Sequence, residues 1–259
     1  MEQHQLAKID NAVLGWLEEA RENVYINLQS ALMVSEKANR KDLVTNVDKS
    51  NEQYFMRKIH ALDPEAQILG EEGFGDAIKN MQGHVWFVDP IDGTLNFVKQ
   101  HDDFAIMLAL YVDGVPTMGW IMDVDKNLTY HGGPNYGVFR NSEKLIIPEN
   151  LPLSEGLIEL SGNRLVHHQF RFEELAEASL GVRVIGSAGM SFIKVIEGKA
   201  IAYASKMKPW DFAAAKVLLE TLKMPITTID GKEIDMLSSN TVLGATPAAH
   251  SDIVRIELA

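Results

Sequence analysis

The chain has 259 residues, 24 Lys+Arg against 36 Asp+Glu, and a formal net charge of −12. Hydrophobic residues make up 46% and charged residues 23%, the composition of a globular chain that buries a core without disulfides or a structural metal. Cysteine is absent, which excludes disulfide scaffolds, Cys-ligated zinc, iron–sulfur clusters and thiol nucleophiles. No apolar run reaches the ~18 residues of a membrane span, and the start, MEQHQLAKID, lacks the basic and apolar regions of a signal peptide. The expectation is a soluble, cytoplasmic protein. Basic residues are scattered, with Lys37, Arg40 and Lys41 the richest cluster, so a nucleic-acid groove is not expected. An acidic chain can still handle an anionic substrate when metal ions supply the positive charge.

The first 35 residues carry apolar positions at Leu6, Ile9, Val13, Trp16, Leu17, Ala20, Val24, Leu28 and Leu32, which predicts one long or once-bent amphipathic helix with only Gly15 against it. A polar loop over residues 35–42 follows. A second helix is predicted over 48–62, with Phe55, Ile59 and Leu62 inward, ended by Asp63 and Pro64. Short apolar runs predict buried strands over 66–69 and 85–88. A meander is predicted over 104–112, 115–124, 128–131 and 137–140, with turns at Asp113-Gly114, at 125–127 and at Gly132-Gly133-Pro134. The second half alternates: strands over 157–160, 182–185 and 200–204, helices over 167–180, 188–197 and 211–223. His167-His168 reads as a helix start. These elements predict a layered α and β architecture with two sheets, one domain over 1–259 with an N-terminal half (1–145) and a C-terminal half (146–259).

The most informative segment is residues 86–97, WFVDPIDGTLNF. A buried strand delivers Asp89 at its carboxyl end, Pro90 stiffens the exit, and Asp92 follows two residues later. Two carboxylates this close repel unless cations sit between them. Hard divalent cations such as Mg²⁺ prefer such oxygen donors. Gly93 permits close approach, and Thr94 opens a helix whose first amides form a phosphate cradle. An isolated Asp-Gly is ordinarily a turn, as at Asp113-Gly114 and Asp230-Gly231, but the whole segment reverses that reading. Asp211 alone reads as an N-cap, Glu71 and Glu72 as a solvated pair, Thr45 and Asp48 as a helix cap, and Lys37 as a surface lysine. The 8 His residues show no metal-ligand spacing, and the 11 Met residues read as core filler.

Residues 86–97 resemble the signature of the inositol monophosphatase family of metal-dependent phosphatases. Gly70, Glu71 and Glu72 resemble its acidic pair. Asp42, Leu43, Val44 and Thr45 with Asp48 resemble its threonine-linked aspartates, and Lys208 to Ala215, KPWDFAAA, its tryptophan–aspartate motif. The order and spacing match from about residue 5 to the C-terminus. The resemblance implies an α+β fold of α-β-α-β-α layers, sugar-phosphatase-like, that hydrolyses small phosphate monoesters with two or three Mg²⁺ ions. It implies a first ion on Glu71, Asp89 and the Ile91 carbonyl, a second on Asp89, Asp92 and Asp211, and a looser third on Glu71. Thr94 would bond the attacking water, oriented by Asp48, and Lys37 matches a lysine of a mobile loop. Asp92, Gly93, Thr94 and Asp211 with the loop Gly186, Ser187 and Ala188 would face the substrate. Inositol monophosphate leads as substrate by family association. NADP(H), fructose 1,6-bisphosphate and 3′-phosphoadenosine 5′-phosphate are rivals within the same chemistry, and a non-catalytic binding or regulatory protein is a rival of another class. A homodimer, sensitivity to lithium and a small phosphorylated metabolite as partner follow from the resemblance, with neither nucleic acid nor membrane.

The sequence departs from the family at two places. Many inositol phosphatases carry a glutamate seven residues before the Trp-Asp aspartate, where it contacts a substrate hydroxyl. Here that position is Ala204, which predicts looser substrate choice. Where the family's downstream helix ends in a Gly-Gly pair, this chain has Lys223 and Met224 before Pro225, which predicts an altered cap.

Overall fold

The computed structural model describes residues 1–29, 32–37 and 43–259. Arg40, Lys41 and Asp42 therefore lie outside the described residues. Helix α1 (Gln3–Leu28) buries Leu6, Val13, Trp16, Leu17, Ala20 and Val24, the stripe that the apolar spacing predicts. Strands β1 (Val34–Glu36) and β2 (Leu43–Thr45) pair antiparallel, so Ser35 and Glu36 are strand rather than loop. Helix α2 (Asn46–Leu62) starts at Thr45, whose side chain accepts the Val47 and Asp48 amides. No helix among the described residues is long and apolar enough to cross a membrane.

Strands β3 (Gln67–Gly70) and β4 (His84–Asp92) run parallel, and helix α3 (Thr94–Gln100) leads on to an antiparallel meander. Its strands are β5 (Ala105–Val112), β6 (Val115–Asp123), β7 (Leu128–Gly133), β8 (Gly137–Arg140) and the unpredicted β9 (Glu143–Lys144). All seven strands, β3 to β9, form one sheet in chain order. Gly132 and Gly133, expected in a turn, lie inside β7. A Cβ on Gly132 would stand 1.9 Å from the Gly137 carbonyl oxygen, so close backbone approach demands the glycine.

A 3-10 turn (Leu153–Glu155) precedes β10 (Leu157–Leu160). The helix expected over 167–180 is two, α4 (Gly162–Val166) and α5 (Phe172–Ala178). His168, Phe170 and Arg171 between them have positive φ, which breaks the helix, and His167 follows α4 instead of starting a helix. Then come β11 (Gly181–Arg183), α6 (Ala188–Ile196), β12 (Ala202–Met207) and α7 (Pro209–Thr221). Strands β13 (Ile226–Thr228) and β14 (Asn240–Ala245) and helix α8 (Pro247–Glu257) were not foreseen. The second sheet has the order β11-β10-β12-β14-β13, with β10 parallel to both neighbours.

Three apolar clusters separate the layers. Helices α1 and α2 cover one face of the large sheet through Trp16, Phe55, Trp86 and Trp120. Helices α6 and α7 fill the space between the sheets with Phe87, Tyr111, Phe192 and Phe212. Helices α5 and α8 back the small sheet through Ile158, Phe172, Leu243 and Ile253. The result is an α-β-α-β-α stack. Strand β4 alternates Val85 and Phe87 into the middle cluster with Trp86 and Val88 into the outer one, which explains its unbroken apolar run.

One polar knot ties α1 to the large sheet. Buried Asp10 accepts Trp120 Nε1 at 2.8 Å, His131 Nδ1 at 2.8 Å and Tyr136 Oη at 3.0 Å. His131 Nε2 faces the Asn141 carbonyl at 2.9 Å, so both ring nitrogens meet acceptors and the imidazolium satisfies both. Burial opposes its charge, but the Asp10 bond, the Asp10 charge and the Asn141 carbonyl together raise its pKa. A group with a raised folded pKa stabilises below its unfolded value and loses that contribution as pH rises through the folded one.

Asp10→Ala should cost about 3–5 kcal/mol in urea unfolding, because it strands the buried partners. The stability advantage of wild type over His131→Gln should shrink as pH rises from the ordinary histidine range through the raised folded value. At the end of α7, Lys223 has φ +62° where a glycine is favoured, so Lys223→Gly should add about 0.5–1 kcal/mol.

Candidate active site

Strand β4 does not stop before Asp89 but runs on to Asp92, with its register against β5 shifting between the two aspartates. Pro90 and Ile91 occupy the irregularity. It aims both carboxylates at the same edge of the sheet, and Asp89 Oδ1 accepts the Ile91 amide at 3.2 Å.

Asp92 reaches across to the start of α6. It accepts the Gly189 amide at 2.7 Å, the Ala188 amide at 3.1 Å and the Ser187 hydroxyl. A helix N-terminus offers unpaired amides and partial positive charge, which suits a buried carboxylate. Two glycines make this approach possible. A Cβ on Gly189 would lie 2.8 Å from Ala105 Cβ, and one on Gly93 would lie 2.8 Å from Ser187 Cβ. Gly93 also has φ +85°, the left-handed region.

Thr45 and Asp48 do cap α2, and the same pair enters the site. Asp48 Oδ2 accepts the Thr45 amide at 2.9 Å and the Thr45 hydroxyl. Asp48 Oδ1 lies 2.9 Å from Thr94 Oγ1, which is also 3.1 Å from the Ile91 carbonyl. The helix-cap and site readings of Asp48 therefore coincide.

Glu71 follows β3, and Lys37 Nζ stands 2.8 Å from Glu71 Oε1 and 2.5 Å from Glu72 Oε1. Beneath them Glu52 of α2, fully buried, accepts the Glu72 amide at 2.6 Å and the Phe74 amide at 2.9 Å. A Cβ on Gly70 would fall 2.6 Å from the Glu52 carboxyl, so the glycine makes room for this support. Sequence reasoning missed Glu52. Its signal was an acid three residues before Phe55, on the inward face of α2.

Asp211 is not the N-cap of α7. Lys208 holds that position, Pro209 follows, and Asp211 Oδ2 accepts the Lys208 amide at 2.8 Å.

These acids crowd one another. Burial, then the charges of Glu71 and Asp92, push Asp89 and Asp211 well above the usual carboxylate range. Burial also raises Asp92 against the pull of Ser187 and the α6 amides, and raises Glu71 against the pull of Lys37. Glu72 is pushed up to about 7, again by burial against Lys37. Glu71 and Asp89 lie within hydrogen-bond reach of each other, an arrangement two anions cannot hold without a shared proton or cation. Among the described residues, no three His, Cys, Asp or Glu side chains already stand close enough together to hold a metal ion.

A cleft of about 400 Å³ opens over these groups. Glu71, Asp89, Ile91, Asp92, Gly93, Thr94, Gly186, Ser187, Ala188 and Asp211 all line it. Lys37 and Asp48 do not line it; each bonds a residue that does, Glu71 and Thr94 respectively. Ala204 is a correction. It is fully buried in the cluster under α5 and α8, and strand alternation gives its neighbours Tyr203 and Ser205 to the cleft instead. Leu160, Ser161 and Asn163, where β10 passes into α4, also line it and were not foreseen.

The sequence profile of the inositol monophosphatase family matches residues 2–257. The chain is 34% identical over 252 residues to the inositol-1-monophosphatase of Bacillus subtilis, covering 95% of each chain. It is 27% identical over 224 residues to a fructose-1,6-bisphosphatase/inositol-1-monophosphatase of Thermotoga maritima, covering 86% of this chain and 85% of that one. The crystal structure of an IMPase/NADP phosphatase with Mg²⁺ and phosphate superposes with a TM-score of 0.91 at 32% identity, covering 97% of this chain and 95% of that one. The fold is thus that of a known enzyme class. The chain belongs to the inositol monophosphatase family.

Gly93→Ala should destabilise the fold by about 1–3 kcal/mol, from left-handed strain and the clash with Ser187. Gly15→Ala, mid-helix in α1 with no atom within 4 Å of its Cβ, should instead add about 0.5–1 kcal/mol. Thermal unfolding of the two variants reads both signs.

Proposed function

We propose that the chain is a Mg²⁺-dependent phosphatase that hydrolyses small phosphate monoesters, with inositol monophosphate the leading substrate. The observation that carries this reading is that Glu71, Asp89, Asp92 and Asp211 line one cleft and their charges oppose one another's ionisation, with Lys37 on Glu71, Lys208 near Asp211 and Lys206 in the lining outnumbered by the acids. Oxygen-only donors in this number fit a hard divalent ion, which completes its shell with carbonyl oxygens and water. Glu71, Asp89 and the Ile91 carbonyl would hold one ion. Asp89, Asp92 and Asp211 would hold a second, and Glu71 a looser third. When bound there, Mg²⁺ would supply a water that is a usable nucleophile near neutral pH and positive charge for the phosphoryl oxygens.

The chain's own groups do the positioning. The Thr94 hydroxyl donates to Asp48 Oδ1, which turns its lone pairs towards the cleft as acceptors for a water O–H. The first amides of α3 have no intrahelical partner and can donate to the phosphoryl oxygens. Asp92, pinned by α6, fixes the far wall against which the alcohol leaves. Lys37 holds Glu71 and Glu72 in place by charge.

Neutral Ser161, Asn163, Tyr203 and Ser205 line the wall on the small-sheet side. They impose no acidic contact on the leaving alcohol, which favours a second activity on NADP or fructose 1,6-bisphosphate. A purely regulatory role is disfavoured, because an inert scaffold gains nothing from crowding four acids. The family resemblance further supports a cytoplasmic homodimer inhibited by lithium.

Chelation should abolish phosphate release, Mg²⁺ should restore it, and Ca²⁺, larger and looser in geometry, should support it poorly. Full activity in excess chelator would end the metal reading. Asp89→Asn and Asp92→Asn should each lower kcat by at least ~10³, or ~4 kcal/mol, with the circular dichroism of the fold retained. Asp113→Asn is the control. Asp113 sits in a turn at φ +50°, its Oδ1 accepting the Gly83 amide, and asparagine keeps both features.

A further inference from the structure

Asn96, on the first turn of α3 and two residues after Thr94, is buried but does not line the cleft. Its amide nitrogen donates twice, to the Asp103 carbonyl at 2.9 Å and to the Ile185 carbonyl at 2.9 Å. Two carbonyl acceptors use both Nδ2 hydrogens and leave the amide one orientation, since its oxygen cannot face them. The first bond is local, spanning 7 residues. The second spans 89 and runs from the large-sheet half to the loop before α6. Strand β11 ends at Arg183, so the Ile185 carbonyl lies beyond its ladder. A Cβ on Gly186 would meet Asn96 Oδ1 at 3.5 Å, which places the amide directly against that loop.

The loop is thereby held at two places. Asn96 holds it at Ile185, and Asp92 holds it at Ser187, Ala188 and Gly189. The two anchors differ in kind. Asp92 is one of several acids that oppose one another's ionisation, and its carboxylate is shared with the divalent ion proposed above, so its grip depends on charge. The Asn96 amide carries no charge, and its two bonds stay the same whatever proton or cation the acids hold.

We infer that Asn96 is a positioning residue of the active site, which sets the span between Thr94 and the loop Gly186 to Ala188 and with it the fit of the ester's alcohol. The inference rests on the phosphatase reading above and deepens it. Thr94 from one half of the chain and Gly186, Ser187 and Ala188 from the other all line the cleft, and Asn96 joins the two groups without entering it. Its bonds go to none of the four cleft acids. The Asp92 bonds to α6 and the Thr94 bond to Asp48 do not pass through it. Loss of Asn96 therefore leaves the groups of the chemical step in place and frees the loop that faces the alcohol.

The test uses the full chain with Mg²⁺ and inositol 1-phosphate. Asn96→Ala should raise KM at least about tenfold and lower kcat by less than about threefold. The Mg²⁺ concentration for half-maximal rate should move less than about twofold, and Mg²⁺ should raise the melting temperature of the variant as it does that of wild type. Amide hydrogen exchange over residues 185–189 should quicken at least about tenfold, with exchange over 86–92 unchanged. An unmoved KM overturns the inference, and so does a variant in which KM, kcat and the Mg²⁺ requirement all worsen together. Should Asn96→Ala not fold, Asn96→Ser keeps a donor for one carbonyl and should raise KM about threefold with kcat retained. Absence of that split, or loss of the fold in both variants, assigns the residue to structure alone and overturns the inference equally. A wild-type chain inactive on inositol 1-phosphate with Mg²⁺ is a different result and defeats the reading of its function, while exchange over 185–189 still decides whether Asn96 holds the loop.

Discussion

Four carboxylates share a small volume where β3, β4 and the first turn of α7 meet, and the surrounding structure is organised to tolerate that crowding. Each acid has its own counterweight. Asp92 has the N-terminus of α6, Asp211 the Lys208 amide, Asp89 the Ile91 amide and Glu71 the Lys37 ammonium. These partners engage one oxygen each of Asp211, Asp89 and Glu71, and both oxygens of Asp92. Burial makes the remaining repulsion expensive in the absence of a cation, as the raised pKa values of Asp89 and Asp211 record. Divalent ions remove that repulsion and place the positive charge where a phosphate needs it.

The large sheet and the middle helices serve this arrangement directly. Trp86 and Val88 lock β4 to the outer helices while Val85 and Phe87 lock it to α6 and α7, so the end of the strand is held from both sides. Asp48 binds the α2 cap and Thr94 with one carboxylate, and Glu52 one turn further on holds the loop of Glu71 and Glu72. Helix α2 is therefore a beam under the site as well as a cover for the sheet.

Most of the candidate site was legible because it is local. Residues 86–97 bring Asp89, Asp92, Gly93 and Thr94 together by chain geometry alone, and Asp211 sits in an equally compact motif. What escaped depends on phase or on distance. Ala204 lies at the expected spacing from Asp211, but the alternation of β12 sends it to the opposite face. Glu52 is distinguishable from a surface acid only once the inward face of α2 is fixed. The knot of Asp10 with His131 spans 121 residues, and no local pattern announces it. Strand β13 is three residues long, too short for periodicity to act on, and β14 follows a polar stretch that masks it. Helix α8 did carry signals, the Thr246 cap and Pro247 at its first turn, ahead of an apolar spacing too sparse to stand out.

The bonds from Asp92 to Ser187, Ala188 and Gly189 join positions 95 to 97 residues apart in the chain. The strands of the large sheet pair mostly with their sequence neighbours and can zip together early, since their loops are short. The small sheet has its own helices and its own core. Neither half alone contains a finished cleft, because one wall belongs to β4 and the other to the loop before α6. Competence is thus a property of docking: the active centre exists only where the two halves meet.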